Sequence, residues 1–376
     1  MANLELNARF LSRPLAGVDR VAFELASALD RYGLPPQISS FTAVHPARPA
    51  TTDGILPRTM SMRKTRWWPG GHLWEQGALT LNSGDSWLLS LCNTGPVLRR
   101  KQIVMIHDAQ TFRHPESYTW PFRLWYRWML PRLGRRAALV LTVSHHAKAE
   151  LERFGIVPRG KARVVPNGAD HILRHQADLD VLARHGLERQ GYFLALGSMA
   201  PHKNIPRIIE AARARQDQTL PLILAGGGSN RVFSADQGSS QSGVQAIGRV
   251  TDPELRALYE NAVALVFPSL TEGFGLPPLE AMLCGCPVIA SSGGALPETC
   301  GDAALFVDPA DRSGWTKALE HLASDMALRK DMSAKGRAHA AAYTWDNAAA
   351  CLVRHLSSTI PARVPSAAKV PKAARP

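Results

Sequence analysis

Short apolar runs bounded by turn residues recur along the chain and alternate with stretches whose apolar positions return every three or four residues. In SRPLAGVDRVAFELASALDRYG, Gly17 precedes Val18, Val21, Ala22, Leu25, Ala26 and Leu29, which predicts a glycine turn opening an amphipathic helix that closes near Gly33. The runs SWLLSL (86–91), QIVMIHD (102–108) and ALVLTVS (138–144) lack polar alternation, as expected of strands buried on both faces of a parallel sheet. YFLALG (192–197), LPLILAGGG (220–228), AVALVFPS (262–269) and CPVIAS (286–291) repeat the plan, with helical stretches at 205–215 and 252–261. Strand, loop and helix in alternation predict two doubly wound α/β domains. Pro166, Asn167 and Gly168 mark the boundary, giving a first domain over 1–170, a linker over 171–190 and a second domain over 191–358. The last helix is expected from about Trp345 to Leu356, and 359–376 reads as a disordered basic tail.

The 376 residues exceed the roughly 250–300 at which one core stops growing, which favours two domains. Hydrophobic residues make up 45% and charged residues 20%, which excludes a mostly disordered chain. No apolar run approaches the roughly 20 residues of a membrane span, and MANLELNARFLSRPLAG has no continuous apolar signal segment, so a cytoplasmic chain is expected. Cys92, Cys284, Cys286, Cys300 and Cys351 show no metal-ligand or disulfide spacing; Cys284 and Cys286 read as small apolar residues beside a buried strand rather than a redox pair. Charge is uneven: residues 1–180 carry 24 Lys and Arg against 14 Asp and Glu, and the tail adds Arg363, Lys369, Lys372 and Arg375. A basic first half implies an anionic partner, whether nucleic acid, a membrane surface or a phosphorylated substrate.

Ligands of doubly wound sheets sit beyond the carboxyl ends of the strands. After one such strand comes SLTEGFGLPPLEAM, which sets Glu272 and Glu280 eight apart around a glycine-rich turn. Gly273 and Gly275 let backbone approach a ligand, and a helix starting near Pro277 or Pro278 turns its positive end toward an anion. Two carboxylates so placed can bind two sets of hydroxyls while the backbone amides hold a phosphate. Taken singly, Glu280 also fits a first-turn acid and the glycines fit plain turn formers.

These residues resemble the retaining glycosyltransferases of family 4, which have the GT-B fold: two Rossmann-like domains facing each other across a cleft. The resemblance includes the glutamate, seven residues, glutamate motif, then GCPVIAS and ALPE, and extends to Gly17, IHD (106–108), TVS (142–144), PNG (166–168), GSMAPHKN (197–204) and AGGG (225–228). It implies transfer of a sugar from a nucleotide diphosphate held by the second domain to an acceptor held by the first. On that basis Glu272 meets the donor sugar, while Gly273, Phe274, Gly275 and Leu276 contact sugar and diphosphate through their amides. Glu280 binds the ribose, and Lys203 neutralises the diphosphate. His107 sits against the sugar near the reacting centre, with Asp108 beside it, and Gly17 reaches the donor phosphate as the domains close. His202 stands where the family usually has arginine, and Ser198, after the strand glycine Gly197, where some members have another; Arg207 or Arg249 is a candidate substitute. No metal and no cofactor beyond the sugar nucleotide is expected. Family retention is explained by front-face displacement, so the lack of an obvious covalent nucleophile is no objection.

Among sugar-transferring members the pattern looks most like bacterial mannosyltransferases of exopolysaccharide or O-antigen assembly. That implies GDP-mannose as donor and a polyprenyl-diphosphate-linked oligosaccharide as acceptor, at the inner face of the plasma membrane; dTDP-rhamnose and UDP-glucose enzymes share the scaffold. MRKTRWWPGGHLW (62–74) and YTWPFRLWYRWMLPRLGRR (118–136) interleave aromatics with arginines, which suits an anionic membrane surface. The first reads as a loop and the better membrane candidate; the second equally fits a core helix with snorkelling arginines. Asp178 and Asp180 form an Asp-x-Asp, read as solvated linker rather than a metal site. A nicotinamide dehydrogenase would need G-x-G-x-x-G after a first strand, which neither half has. A nucleic-acid-binding α/β protein fits the charge but lacks a recognition motif, so no nucleic-acid partner is expected.

Overall fold

The computed structural model describes residues 1–12, 15, 17–46, 59–65, 71–227 and 243–362, which form two parallel sheets. The first contains β1 (Ala2–Asn7), β2 (Ile38–His45), β3 (Ser61–Lys64), β4 (Trp87–Ser90), β5 (Gln102–Met105), β6 (Leu139–Thr142) and β7 (Ala162–Val164), in the order β3-β2-β1-β4-β5-β6-β7. The second contains β8 (Phe193–Leu196), β9 (Leu222–Ala225), β10 (Val244–Gly248), β11 (Ala264–Phe267), β12 (Val288–Ser291) and β13 (Leu305–Val307), in the order β10-β9-β8-β11-β12-β13. In each, strand order reverses once, between β1 and β4 and between β8 and β11, and the crevice beyond those carboxyl ends is the natural ligand site.

Every residue of β4, β5, β6, β9, β11 and β12 is buried, which is why these strands read as continuous apolar runs. The edge strand β3, SMRK, is exposed throughout. The opening helix runs Val18–Tyr32 and buries the predicted apolar stripe, with Gly33 at φ 100° ending it. The helix Asp252–Asn261 starts in a capping box, the Thr251 side chain accepting from the Glu254 N–H while Glu254 accepts from Thr251.

The stretch 171–190 is not an open linker: it holds a helix, Asp180–His185, with Val181 and Leu182 buried, and the Asp180 N–H donates to Asp178 Oδ1. The final helix runs Trp345–Thr359, three residues beyond the expected Leu356, and packs against the opening helix of the first unit. Arg31 pairs with Asp346 (3.2 Å), Gln37 donates to the Ser357 carbonyl, and Ile360 is buried, so this returning helix belongs to the first unit by packing although it follows the second in sequence. The tail residues Arg363 to Pro376 lie outside the described residues.

The 62–74 stretch is not a loop throughout. It begins in β3 and ends in the helix His72–Trp74, where Trp74 is fully buried and donates to Thr65 Oγ1; residues 66–70 lie outside the described residues. No helix among the described residues is long and apolar enough to cross a membrane. Cys284 and Cys286 are buried, and burial pushes both thiols up, Cys284 to about 12, as expected of packing residues rather than a redox pair.

Candidate active site

A cleft of about 400 Å³ opens where the carboxyl ends of the two sheets face each other. Gly17, Val18, His107, Asp108 and Tyr118 line it from the first unit, and His202, Lys203, Glu272 to Leu276 and Glu280 from the second. Motifs 255 residues apart, Gly17 and Glu272, thus meet on one cavity.

The loop after β8 turns through Pro201–Lys203 into the helix Ile205–Arg213 and places Lys203 Nζ 2.7 Å from Glu272 Oε1. Asp108 lies beside this pair; burial holds its carboxyl above the ordinary range, against the Gln110 N–H that it accepts at 2.9 Å. His107 donates its backbone N–H to Asn93 Oδ1 and its Nε2–H to the Leu91 carbonyl (2.7 Å), and burial lowers its imidazole to about 4. Burial, then Lys203, lower His202 as well, and its Nδ1 lies 3.1 Å from Ser117 Oγ; His202 is therefore a neutral wall of the cleft rather than a replacement cation. Gly197, Ser198, Arg207 and Arg249 do not line the cleft; Arg207 pairs with Glu210, and Arg249 packs over Gly227.

The loop Glu272–Leu276 is held in the cleft by the opposite unit. A Cβ on Gly273 would stand 2.5 Å from the His107 carbonyl oxygen, so only glycine allows this approach. Gly275 has φ 103° and N-caps the helix Leu276–Leu283. Ser144 Oγ donates to the Gly273 carbonyl (2.6 Å), Gln110 Nε2 to the Thr271 carbonyl (2.9 Å), and Glu298 of ALPE accepts the N–H groups of His145 and His146. Arg20 and Asp252, which also line the cleft, form a bidentate pair across the two units. Sequence spacing gave no signal for Gln110, Tyr118, Arg20 or Asp252.

Glu280 is buried with both oxygens engaged: Tyr259 donates to Oε2 (3.1 Å) and His171 Nε2 lies 3.0 Å from Oε1. The Trp345 indole N–H donates to His171 Nδ1 (3.1 Å), which must therefore be the bare nitrogen, leaving Nε2 to donate to Glu280. A tryptophan from the returning helix so fixes the tautomer of the histidine that orients this carboxylate. Asp178 and Asp180 stand away from the cleft.

Two family models match the chain, "Glycosyltransferase Family 4" over residues 15–172 and "Glycosyl transferases group 1" over 182–339. The chain is 34% identical over 259 residues to O-antigen chain mannosyltransferase B of Escherichia coli, an alignment covering 66% of this chain and 68% of that protein. To O-antigen chain mannosyltransferase RfbU of Salmonella typhimurium it is 29% identical, covering 70% and 72%. Among solved structures, Anabaena Alr3699/HepE in complex with UDP-glucose superposes with a TM-score of 0.73 at 17% identity, covering 95% of this chain and all of that one, which shows the GT-B fold.

Proposed function

The chain is a member of glycosyltransferase family 4, and we propose that the sugar it transfers is mannose, from GDP-mannose, with retention at the anomeric carbon. The acceptor in this reading is a polyprenyl-diphosphate-linked oligosaccharide of O-antigen, other lipopolysaccharide or exopolysaccharide assembly. The names of the two bacterial relatives support the sugar and the pathway class. One observation carries the site: Lys203 and Glu272, paired at 2.7 Å beyond β8 and β11, face His107 and Asp108 of the other unit across one cleft.

The chemistry follows from that arrangement. As the bond from the anomeric carbon to the diphosphate breaks, negative charge grows on the departing phosphate oxygen, and in this reading Lys203, which lines the cleft, stabilises it. The acceptor oxygen bonds the anomeric carbon on the same face and its proton passes to that phosphate oxygen, which requires no covalent nucleophile from the chain. Glu272 takes sugar hydroxyls and Glu280 the ribose. His107, its Nε2–H spent on Leu91, offers the sugar a neutral Nδ1 acceptor. The protein works at the inner face of the plasma membrane in this reading, its anionic lipids contacting the helix Trp120–Arg136.

The test is transfer from a panel of GDP-, UDP- and dTDP-sugars to membrane lipid extract. GDP-mannose is expected to turn over, with kcat falling about 10²–10³-fold in Lys203→Ala, the range for loss of one charge-stabilising group, and comparably in Glu272→Ala. Turnover of UDP-glucose or dTDP-rhamnose instead overturns mannose and keeps the family. No turnover of any donor, no thermal protection by nucleotide and salt-sensitive DNA binding would overturn the reading.

A further inference from the structure

The loop between β11 and the helix Leu276–Leu283 is pinned by its carbonyls, and the pins come from both units. Four consecutive carbonyls are taken: Gln110 Nε2 donates to Thr271 (2.9 Å), the Ala295 N–H to Glu272 (3.0 Å), Ser144 Oγ to Gly273 (2.6 Å) and Thr299 Oγ1 to Phe274 (2.7 Å). The donors of the same stretch are left open. Among the described residues, the N–H groups of Gly273, Phe274, Gly275 and Leu276 meet no protein acceptor, and all four residues line the cleft. A trans peptide is planar, so each N–H points away from the carbonyl of its own peptide unit. Fixing the carbonyls of Glu272, Gly273 and Phe274 therefore aims the N–H groups of Gly273, Phe274 and Gly275.

Two of the pins, Ala295 and Thr299, belong to the second unit, and they bracket the ALPE motif, which the chemistry above leaves without a role. Gly294, at φ 67°, lets this segment lie on the loop, because a Cβ there would run into the Glu272 amide nitrogen. The other two, Gln110 and Ser144, belong to the first unit. Glu298 of ALPE joins the two sets: its carboxylate accepts the N–H groups of His145 (2.8 Å) and His146 (2.9 Å), the first residues of the helix that Ser144 caps through the Ala147 N–H. A carboxylate on the open donors of a helix N-terminus makes charge-assisted hydrogen bonds and complements the helix dipole. TVS and ALPE thus form the two halves of one clasp between the units. Neither Ser144 nor Glu298 lines the cleft.

We propose that Glu298 and Ser144 are positioning residues for transfer: their clasp holds the loop carbonyls so that its row of N–H groups faces the sugar diphosphate. This rests on the sugar-nucleotide reading above and adds to it a role for the first unit, which completes a cradle carried by the second. A split in the kinetics follows. The pins on Glu272 and Phe274 lie within the second unit and survive loss of the clasp, so nucleotide binding persists, whereas the alignment of the loop with the first unit's side of the cleft is lost.

The test combines turnover of the wild type's donor with membrane lipid extract, calorimetric binding of the matching GDP, UDP or dTDP, and thermal melting. In Glu298→Ala, at an exposed position, kcat is expected to fall about five- to tenfold, the scale of losing one helix cap, while the nucleotide dissociation constant changes less than twofold. Glu298→Gln, which keeps one acceptor oxygen, should recover part of the rate. Ser144→Ala should fall comparably from the other side of the clasp, and Ser144→Ala/Glu298→Ala by less than the product of the single losses, since both act on one contact. A kcat for Glu298→Ala within twofold of wild type overturns the role. So does a loss of nucleotide affinity equal to the loss of kcat, which would assign Glu298 to the fold of the second unit. No turnover of any donor by the wild type overturns the sugar-nucleotide reading itself; turnover that Glu298→Ala matches overturns the clasp alone.

Discussion

At the scale of single residues, burial disfavours charge on His107 and His202, so the positive charge on the cleft wall belongs to Lys203 and Arg20. His107 illustrates the cause. The Leu91 carbonyl can only accept, so the imidazole proton resides on Nε2, and burial of the ring disfavours a second proton, lowering it to about 4. The unfolded imidazole titrates near 6.5, about 2.5 pH units higher. Between those values the unfolded chain holds the extra proton, so this group's contribution to stability is intact above pH 6.5 and is lost as pH falls toward 4, by roughly 3 kcal/mol. His107→Gln keeps a donor for Leu91 and removes the titration. The difference in urea-unfolding free energy between pH 7 and pH 4.5 should therefore shrink by roughly 2 kcal/mol. An unchanged difference would mean that the imidazole is not held neutral by the fold.

At the scale of elements, the loop Glu272–Leu276 is a contact between units as much as a wall of the cleft. Gly273→Ala would drive a methyl to 2.5 Å from the His107 carbonyl oxygen, and since that atom is backbone, the loop or the strand end must move. A displacement near 1 Å at reacting groups costs on the order of 10²-fold in rate. Transfer by Gly273→Ala should fall by about that factor while the melting temperature drops only a few degrees; a rate within threefold of wild type would show that the close approach is not needed. How much of these elements could be read from the chain follows the same physics. The central strands announce themselves because both faces are buried, and the glutamate motif because its parts lie within nine residues. Edge strands such as β3 and β10 are short and carry exposed or half-buried residues, so no alternation marks them. Nor does any spacing report that Trp345 meets His171 across 174 positions, that Glu298 caps the helix at His145, or that the last helix returns to the first unit. Such pairings are fixed by how two sheets close on each other, and local pattern does not encode that closure.

At the scale of the whole molecule, the two units differ in what they show to their surroundings. The helix Trp120–Arg136 belongs to the unit with most of the net charge, and it contains no acidic residue. Met129, Leu130 and Leu133 are buried in a hydrophobic core of the first unit with Trp125 and Tyr126 packed against it, so one face of the helix serves the core while another stays open. Trp120, Leu124 and Trp128, four residues apart and therefore on one face, are 69%, 56% and 43% exposed, and Arg132 stacks on the Trp128 ring at 4.6 Å. Aromatic rings flanked by arginines suit the headgroup layer of an anionic bilayer. The helix also begins two residues after Tyr118, which lines the cleft and stacks on Phe122 (5.3 Å), so a membrane against this face would lie next to the cleft. Sedimentation with vesicles of phosphatidylglycerol and phosphatidylcholine should carry the protein down, less so as salt rises through the screening range. Trp120→Ser/Trp128→Ser should lower the bound fraction several-fold, leaving turnover of a water-soluble acceptor analogue unchanged, because neither tryptophan touches the cleft. Equal binding by the double variant would move the membrane contact to another face, and a matching loss with the soluble analogue would mean that these rings serve the fold rather than the bilayer.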